Sequence, residues 1–333
     1  MTGVDAPAAY HGSGFRPRAD HHAREIEDGE HWTPVGADTE WRPLRHALLI
    51  KPDVSWPDPA DWNAIQYLEP VDFRRLAAEI DAYADGLRAV GVRVTVAAPR
   101  PRTTRPLYNV VFARDQLLAT PEGVVVARMG SEPRAGEELS VLRILAELGA
   151  PVLRAISGDA VFEGADGLWL RPDRLLVGTG NRTNRSGLEI LRRTMAEQAV
   201  EVYEVPLPSS VQHLLGMVQF VGAHDVVVRA EICPPVLPQL LRQAGLTVHR
   251  WPEHPEVSRG QGMNFVVVDH MRVVMLADRP WVRRALADIG VEVVHEVHAD
   301  ELLKAAGGLA CATAVLRRDR LRSENDQGGT FNG

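Results

Sequence analysis

Cysteine is almost missing from this sequence: Cys233 and Cys311 are the only two in 333 residues. Two thiols make no disulfide framework, and no Cys/His spacing suggests zinc, so no metal site is expected. A reducing, cytoplasmic setting is the simple expectation. Lysine is nearly absent beside arginine, the arginines are scattered, and the formal net charge is −7. Clustered basic residues for gripping phosphates are therefore lacking, which argues against a nucleic-acid partner. No apolar run reaches the roughly 18 residues of a spanning helix, so no membrane partner is expected either. The polar N-terminus shows no apolar core of a secretory signal.

What the chain does have is 45% apolar residues, ample for a sizeable core. Its length suggests two domains, although some α/β architectures reach this size as one. Residues 1–40 are rich in Gly, Pro, His and charge and read as a mobile arm. Residues 41–322 read as one catalytic domain, and 323–333 (SENDQGGTFNG in its setting) as a flexible tail.

Within the central region one theme recurs. An apolar strand pair leads to an amphipathic helix, a Gly-containing turn and a further short strand. Apolar Leu76, Ile80, Tyr83 and Leu87 are spaced for a helix over 74–90, which Gly91 ends before VRVTV. EELSVLRILAELG–PVLRAI, GLEILRRTMAEQ–VEVYEV, VLPQLLRQAG–LTVHRW and WVRRALADIG–VEVVHEV repeat the cadence. Strand runs precede these helices: HALLIK, VVFARD with VVVARM, LWLRP with RLLVG, MVQFVG with DVVVRA, and NFVVVD with RVVML. Short polar turns join the pairs, as in hairpins. Five copies of such a unit suggest a ring or array. A doubly wound α/β fold is the alternative, but strand pairs per helix fit poorly with simple βαβ alternation.

A few residues could carry chemistry. Cys311 lies in GGLACATAVLRRD, where the glycines would let the backbone approach a ligand closely. Cys233, in EICPP, lacks that setting and reads as structural. His213, in SSVQHLLGMVQFV, stands where a Pro/Ser loop enters an apolar strand. Asp115 ends the apolar run NVVFARD, and Glu163 and Asp166 lie in a Gly/Ala turn, FEGAD. Taken singly, these residues are a buried thiol, a packing histidine, a strand-ending charge and a surface turn. Together they fall at the starts of different repeats, and equivalent positions of a ring converge on its axis.

With these motifs the chain resembles the guanidino-group-modifying superfamily, which includes arginine deiminase, dimethylarginine dimethylaminohydrolase, arginine dihydrolase and the amidinotransferases. The resemblance spans about 44–320 and implies a five-bladed, pseudo-fivefold ββαβ propeller of the α/β class, pentein-like. NVVFARD is similar to the arginine deiminase pattern N-x-x-F-T-R-D. That implies a guanidinium partner in Asp115, with Asn109 and Phe112 holding the substrate's amino-acid end and stem. FEGAD resembles E-G-G-D, with Ala165 in place of the second glycine. It implies Glu163 as partner of the catalytic histidine and Asp166 as a second acid at the site. GTGNRTN resembles the R-T segment, where Arg182 would pair with a substrate carboxylate. QHLL resembles H-L-D, but Leu215 stands where deiminases carry an acid; dimethylarginine hydrolases also lack an acid there.

The implied chemistry needs neither metal nor organic cofactor. Asp115 and Glu163 would localise the charge of a small guanidino substrate, and Cys311 would attack its central carbon. His213 would protonate the departing amine and then activate the next nucleophile. Water as that nucleophile makes a hydrolase, the favoured outcome. A primary amine makes an amidinotransferase, the alternative, and a non-catalytic binding scaffold is a third reading. A homo-oligomer is compatible with all three.

Overall fold

A computed structural model describes residues 6–320. A short helix, α1 (His22–Asp28), precedes the repeats. The first unit is β1 (Leu44–Ile50), α2 (Phe73–Ala89) and β2 (Arg93–Ala97). The second is β3 (Leu117–Thr120), β4 (Gly123–Val126), α3 (Glu137–Leu148) and β5 (Val152–Ala155). The third is β6 (Gly167–Arg171), β7 (Arg174–Thr179), α4 (Arg185–Ala196) and β8 (Glu201–Pro206). The fourth is β9 (Val218–Phe220), β10 (Asp225–Arg229), α5 (Val236–Gln243) and β11 (Thr247–Trp251), followed by the short α6 (Pro255–Ser258). The fifth is β12 (Val266–Asp269), β13 (Arg272–Leu276), α7 (Pro280–Asp288) and β14 (Glu292–Val297). Two short helices, α8 (Asp300–Lys304) and α9 (Leu309–Ala312), lead to β15 (Ala314–Arg318).

Each unit makes one three-stranded sheet, with an antiparallel hairpin and a parallel third strand returned by the helix. The five sheets form the pseudo-fivefold α/β propeller. The first sheet is closed by the chain's other end: β15 pairs antiparallel with β1, in the place where the other units have their own first strand. Burial falls along each sheet. β3 and β4 are buried at every residue, whereas β5 is mostly exposed; α2, α4, α5 and α7 pack against the third strands of their units, and α3 against β4.

The local reasons are in the sequence. In α2 the buried residues include Leu76, Ile80, Tyr83 and Leu87, one stripe at helical spacing. Asp72 caps it by accepting from Arg74 and Arg75 N–H at 2.9 and 3.2 Å, and Gly91 leaves it at φ +90°.

Two expectations need correction. VVFARD is not a strand. Tyr108–Val111 and Ala113–Gln116 are successive 3-10 turns, and β3 starts only at Leu117. The buried polar side chains of Asn109, Asp115 and Gln116 could not be satisfied within a sheet ladder, and the tight turns aim them elsewhere. Nor do residues 22–40 form an arm. Ile26 and Val35 are buried in an apolar cluster with α3, and Glu40 reaches into the interior. There Glu40 accepts from Arg114 Nη2 at 3.2 Å and from Trp169 N–H at 3.1 Å. The apolar and acidic anchors outweigh the segment's Gly/Pro-rich composition. The expected tail, 323–333, lies outside the described residues.

Candidate active site

Asp115 sits in the 3-10 turn before β3, Glu163 immediately before the turn that starts β6, and His213 before the turn that starts β9. Asn264 precedes β12, and Cys311 lies in α9 before β15. These are equivalent places in successive units. Fifty residues separate Glu163 from His213, and 47 separate Asn264 from Cys311. One cavity of about 440 Å³ is lined by Asp115, His213, Asn264 and Cys311, together with Asn109, Phe112 and Leu215.

At the cavity wall His213 Nε2 lies 2.7 Å from Glu163 Oε2, and its Nδ1 lies 3.8 Å from Asp115 Oδ1. Burial alone would lower the histidine pKa, but the charge of Asp115 and the hydrogen bond to Glu163 raise it to about 9. His213 is therefore an imidazolium at neutral pH. Glu163 is held below the usual carboxylate range: burial opposes ionisation, but Arg134 and His213 overcome it. Burial and the charge of Asp115 push the Cys311 thiol up, against Gly308 N–H, Asn264 and Arg134.

Arg134 carries no signal in the repeat pattern and was not legible in the sequence. It is 1% exposed and donates Nη1 to Asp115 Oδ2 at 2.6 Å and to Glu163 Oε2 at 3.4 Å. Its other nitrogens reach Glu137, whose carboxyl burial raises to about 7. Asp115, Glu163 and His213 each present a ligand atom, all within 4.8 Å of one another. A cation would suit that donor set, but the Arg134 guanidinium already occupies the space between the two carboxylates.

The placements of the other expected residues differ. Glu163 is saturated: Oε1 accepts from Gly130 N–H at 2.8 Å and from Arg182 Nη1 at 3.3 Å, so no lone pair is left for a guanidinium. Asp166 is fully buried behind the site. It accepts from Thr183 Oγ1 at 2.6 Å and Leu214 N–H at 3.0 Å, and burial raises it to about 6. It ties FEGAD to the His213 loop and does not line the cavity. Arg182 is drawn inward to Glu163, Ser131 and Gln66, and is not part of the cavity wall. The nearby acid outcompetes solvent for its charge.

The glycines before Cys311, of which Gly307 lines the cavity, also permit close packing within the protein. A Cβ at Gly307 would lie 2.0 Å from the Phe112 ring, and one at Gly308 would lie 2.7 Å from Asn264 Cβ. They bring the nucleophile loop against two side chains of the cavity. In FEGAD, Gly164 is required because a Cβ would meet Leu117 O at 2.1 Å, whereas Ala165 fits and lines the cavity.

The arrangement provides one buried carboxylate oxygen that accepts no hydrogen bond, Asp115 Oδ1, with the His213 imidazolium 3.8 Å away and a thiol in the same cavity. The profile of the family described as arginine deiminase matches residues 75–247. A dimethylarginine dimethylaminohydrolase of Streptomyces coelicolor is 28% identical over 75% of this chain and 89% of its own length. One from Pseudomonas aeruginosa is 23% identical over 74% of this chain and 90% of its own. Among solved structures, an amidinotransferase of saxitoxin biosynthesis from Microseira wollei superposes with a TM-score of 0.71 at 20% identity, covering 87% of this chain and 99% of that one. A dimethylarginine dimethylaminohydrolase adduct superposes with a TM-score of 0.66 at 22% identity, covering 81% and 99%.

Proposed function

Given that the chain belongs to the arginine deiminase family, within the guanidino-group-modifying superfamily, we propose that it hydrolyses a guanidino C–N bond of an N-substituted arginine-like compound through a covalent intermediate on Cys311. The observation that carries this reading is Asp115 Oδ1, which accepts no hydrogen bond and is buried at the cavity that also holds His213 and Cys311. A buried carboxylate oxygen without a donor is costly, and a guanidinium N–H supplies the missing partner.

The steps follow from the charges. Burial and the charge of Asp115 raise the Cys311 thiol, and a guanidinium bound at Asp115 offsets that charge, so substrate binding favours the thiolate. The sulfur attacks the central carbon and forms a C–S bond. The tetrahedral adduct collapses as one C–N bond breaks, and His213 gives its Nδ1 proton to the departing amine. An S-alkylthiouronium remains on Cys311. The now neutral His213 takes a proton from water as it adds to the same carbon; C–S cleavage then releases the thiolate, and the hydroxyl proton passes to the departed amine or solvent to leave the ureido product. Glu163 keeps the imidazole ring oriented throughout. Arg134 favours the charged form of Glu163 and donates to Asp115 Oδ2.

Leu215 supports the substituted substrate. It is buried in the cavity wall, and an apolar wall accepts an N-methyl group but leaves an N–H donor without a partner. The test is incubation with arginine, methylarginines, agmatine and guanidinoacetate, with and without ornithine or glycine, read by mass spectrometry. A ureido product with released methylamine or dimethylamine is expected, independent of added amine. Product formed only when ornithine or glycine is present would overturn hydrolysis in favour of amidino transfer.

A further inference from the structure

The loop that carries Cys311 is fastened from one side by a single amide side chain. Cys311 N–H donates to Asn264 Oδ1 at 3.0 Å, and Ala310 N–H donates to the Asn264 carbonyl at 3.3 Å. The backbone bond decides which end of the amide is which. A peptide N–H has only a hydrogen to offer, so the oxygen must face it and the NH2 group must point the other way. The two hydrogens of that NH2 group are directed at Cys311 Sγ, 3.1 Å away, and at Gln261 Oε1, 3.2 Å away. Gln261 is held in the left-handed region at φ +50°, and it lines the cavity beside Asn264.

Position in the ring gives an independent reason to single out this residue. Asp115, Glu163, His213 and Cys311 each stand just before the inner strand of their unit, and Asn264 stands at that place in the one unit left over. The sulfur also needs such a donor, because burial and Asp115 both work against its ionisation.

We propose that Asn264 is the positioning residue of the nucleophile: its oxygen fixes the Cys311 backbone while its NH2 group donates to the sulfur, so that one amide sets both the place and the ionisation of the thiol. The proposal rests on Cys311 being the nucleophile.

Two variants separate the two jobs. Asn264→Asp keeps an oxygen for Cys311 N–H but turns a non-donating oxygen toward the sulfur. Asn264→Ala removes the donor and the backbone-fixing oxygen together, without adding charge. In the full chain, the rate of iodoacetamide alkylation at Cys311 is followed against pH by peptide mapping, with circular dichroism as a check of folding. The midpoint is expected to rise in both variants, by about one pH unit or more in Asn264→Asp, a tenfold loss of thiolate at a given pH. With a turned-over guanidine, kcat should fall at least about tenfold, while KM stays within about threefold, since the loss is in the chemical step. Profiles that overlay the parent's in both variants would overturn the proposal. A rise in Asn264→Asp alone would report only the added charge and would overturn the donor role. Alkylation needs no substrate, so failure of the hydrolase reading would appear as absent turnover with the alkylation shift intact.

Discussion

The two carboxylate oxygens of Asp115 live in different surroundings, and the difference defines the site. Oδ2 is bound by Arg134, while Oδ1 is buried with no hydrogen-bond partner and faces His213. The two cysteines diverge as clearly. Cys311 is partly exposed to the cavity and contacted by Asn264, whereas Cys233 is buried and its thiol is pushed up to about 11 by burial. Cys311→Ala is expected to abolish turnover with an unchanged circular dichroism spectrum, and Cys233→Ala to keep turnover within about twofold, as expected for a small apolar replacement of a packing thiol. Residual activity in the Cys311 variant would rule out covalent catalysis there. Leu215→Asp gives unsubstituted nitrogens a partner, so the ratio of kcat/KM for arginine over a methylated arginine should rise at least about tenfold, or about 1.4 kcal/mol. An unmoved ratio would remove Leu215 from the guanidino subsite.

At the scale of elements, the loops entering the inner strands hold the chemistry and the helix caps hold the loops. Asn184 caps α4 by accepting from Gly187 N–H at 2.8 Å, and the same oxygen accepts Val161 N–H at 3.0 Å, two residues before Glu163. Asn184→Ala should cost about 1–2 kcal/mol in denaturant unfolding, at the high end for a cap because it also serves a second donor. Stability equal to the parent's would show that the cap is dispensable. Gly307→Ala would drive a methyl into the Phe112 ring. It should lower kcat/KM well beyond any loss of stability, because the ring and the Cys311 loop must then part. Equal and small losses in both measurements would contradict that geometry.

For the whole molecule, ring closure and pH response are the collective properties. The ring is shut by β15 on β1, and its interior carries charged side chains: Arg114 on Glu40, and Arg318 donating to Arg42 and Val267 carbonyls. No helix among the described residues is long and apolar enough to cross a membrane. His213, raised from its ordinary 6.5 to about 9 in the folded chain, sets a stability window. Below pH 6.5 both folded and unfolded chains carry its proton, and its stabilising contribution is complete. Between 6.5 and 9 only the folded chain keeps the proton, so stability falls, by up to about 3 kcal/mol once the pH passes 9. Thermal melts of the parent should therefore decline over that range, and those of His213→Gln should decline less. Parallel melting curves would show that His213 does not titrate there.

The sequence by itself determined the repeat and most of the convergence. Apolar periodicity is a local property, so α2, α3, α4, α5 and α7 could be placed from spacing alone, and the motifs placed Asp115, Glu163, His213 and Cys311 at corresponding points of their units. Tertiary structure decided what depends on partners distant in the chain. That β15 completes the sheet of β1 needed the closed ring. That VVFARD turns instead of extending followed from where its buried polar groups find partners. Arg134 stands outside any periodic signal, and Asn264 holds a repeat position but carries no motif; their importance comes from charges and donors that meet across about 29 and 47 residues of chain, at Glu163 and Cys311. Arg182 and Asp166 carry motif signatures, yet the interior acids and donors around them turned both away from the cavity. A side chain's chemical type is written in the sequence, but which partner captures it is settled by the competition among all the groups that folding brings within reach.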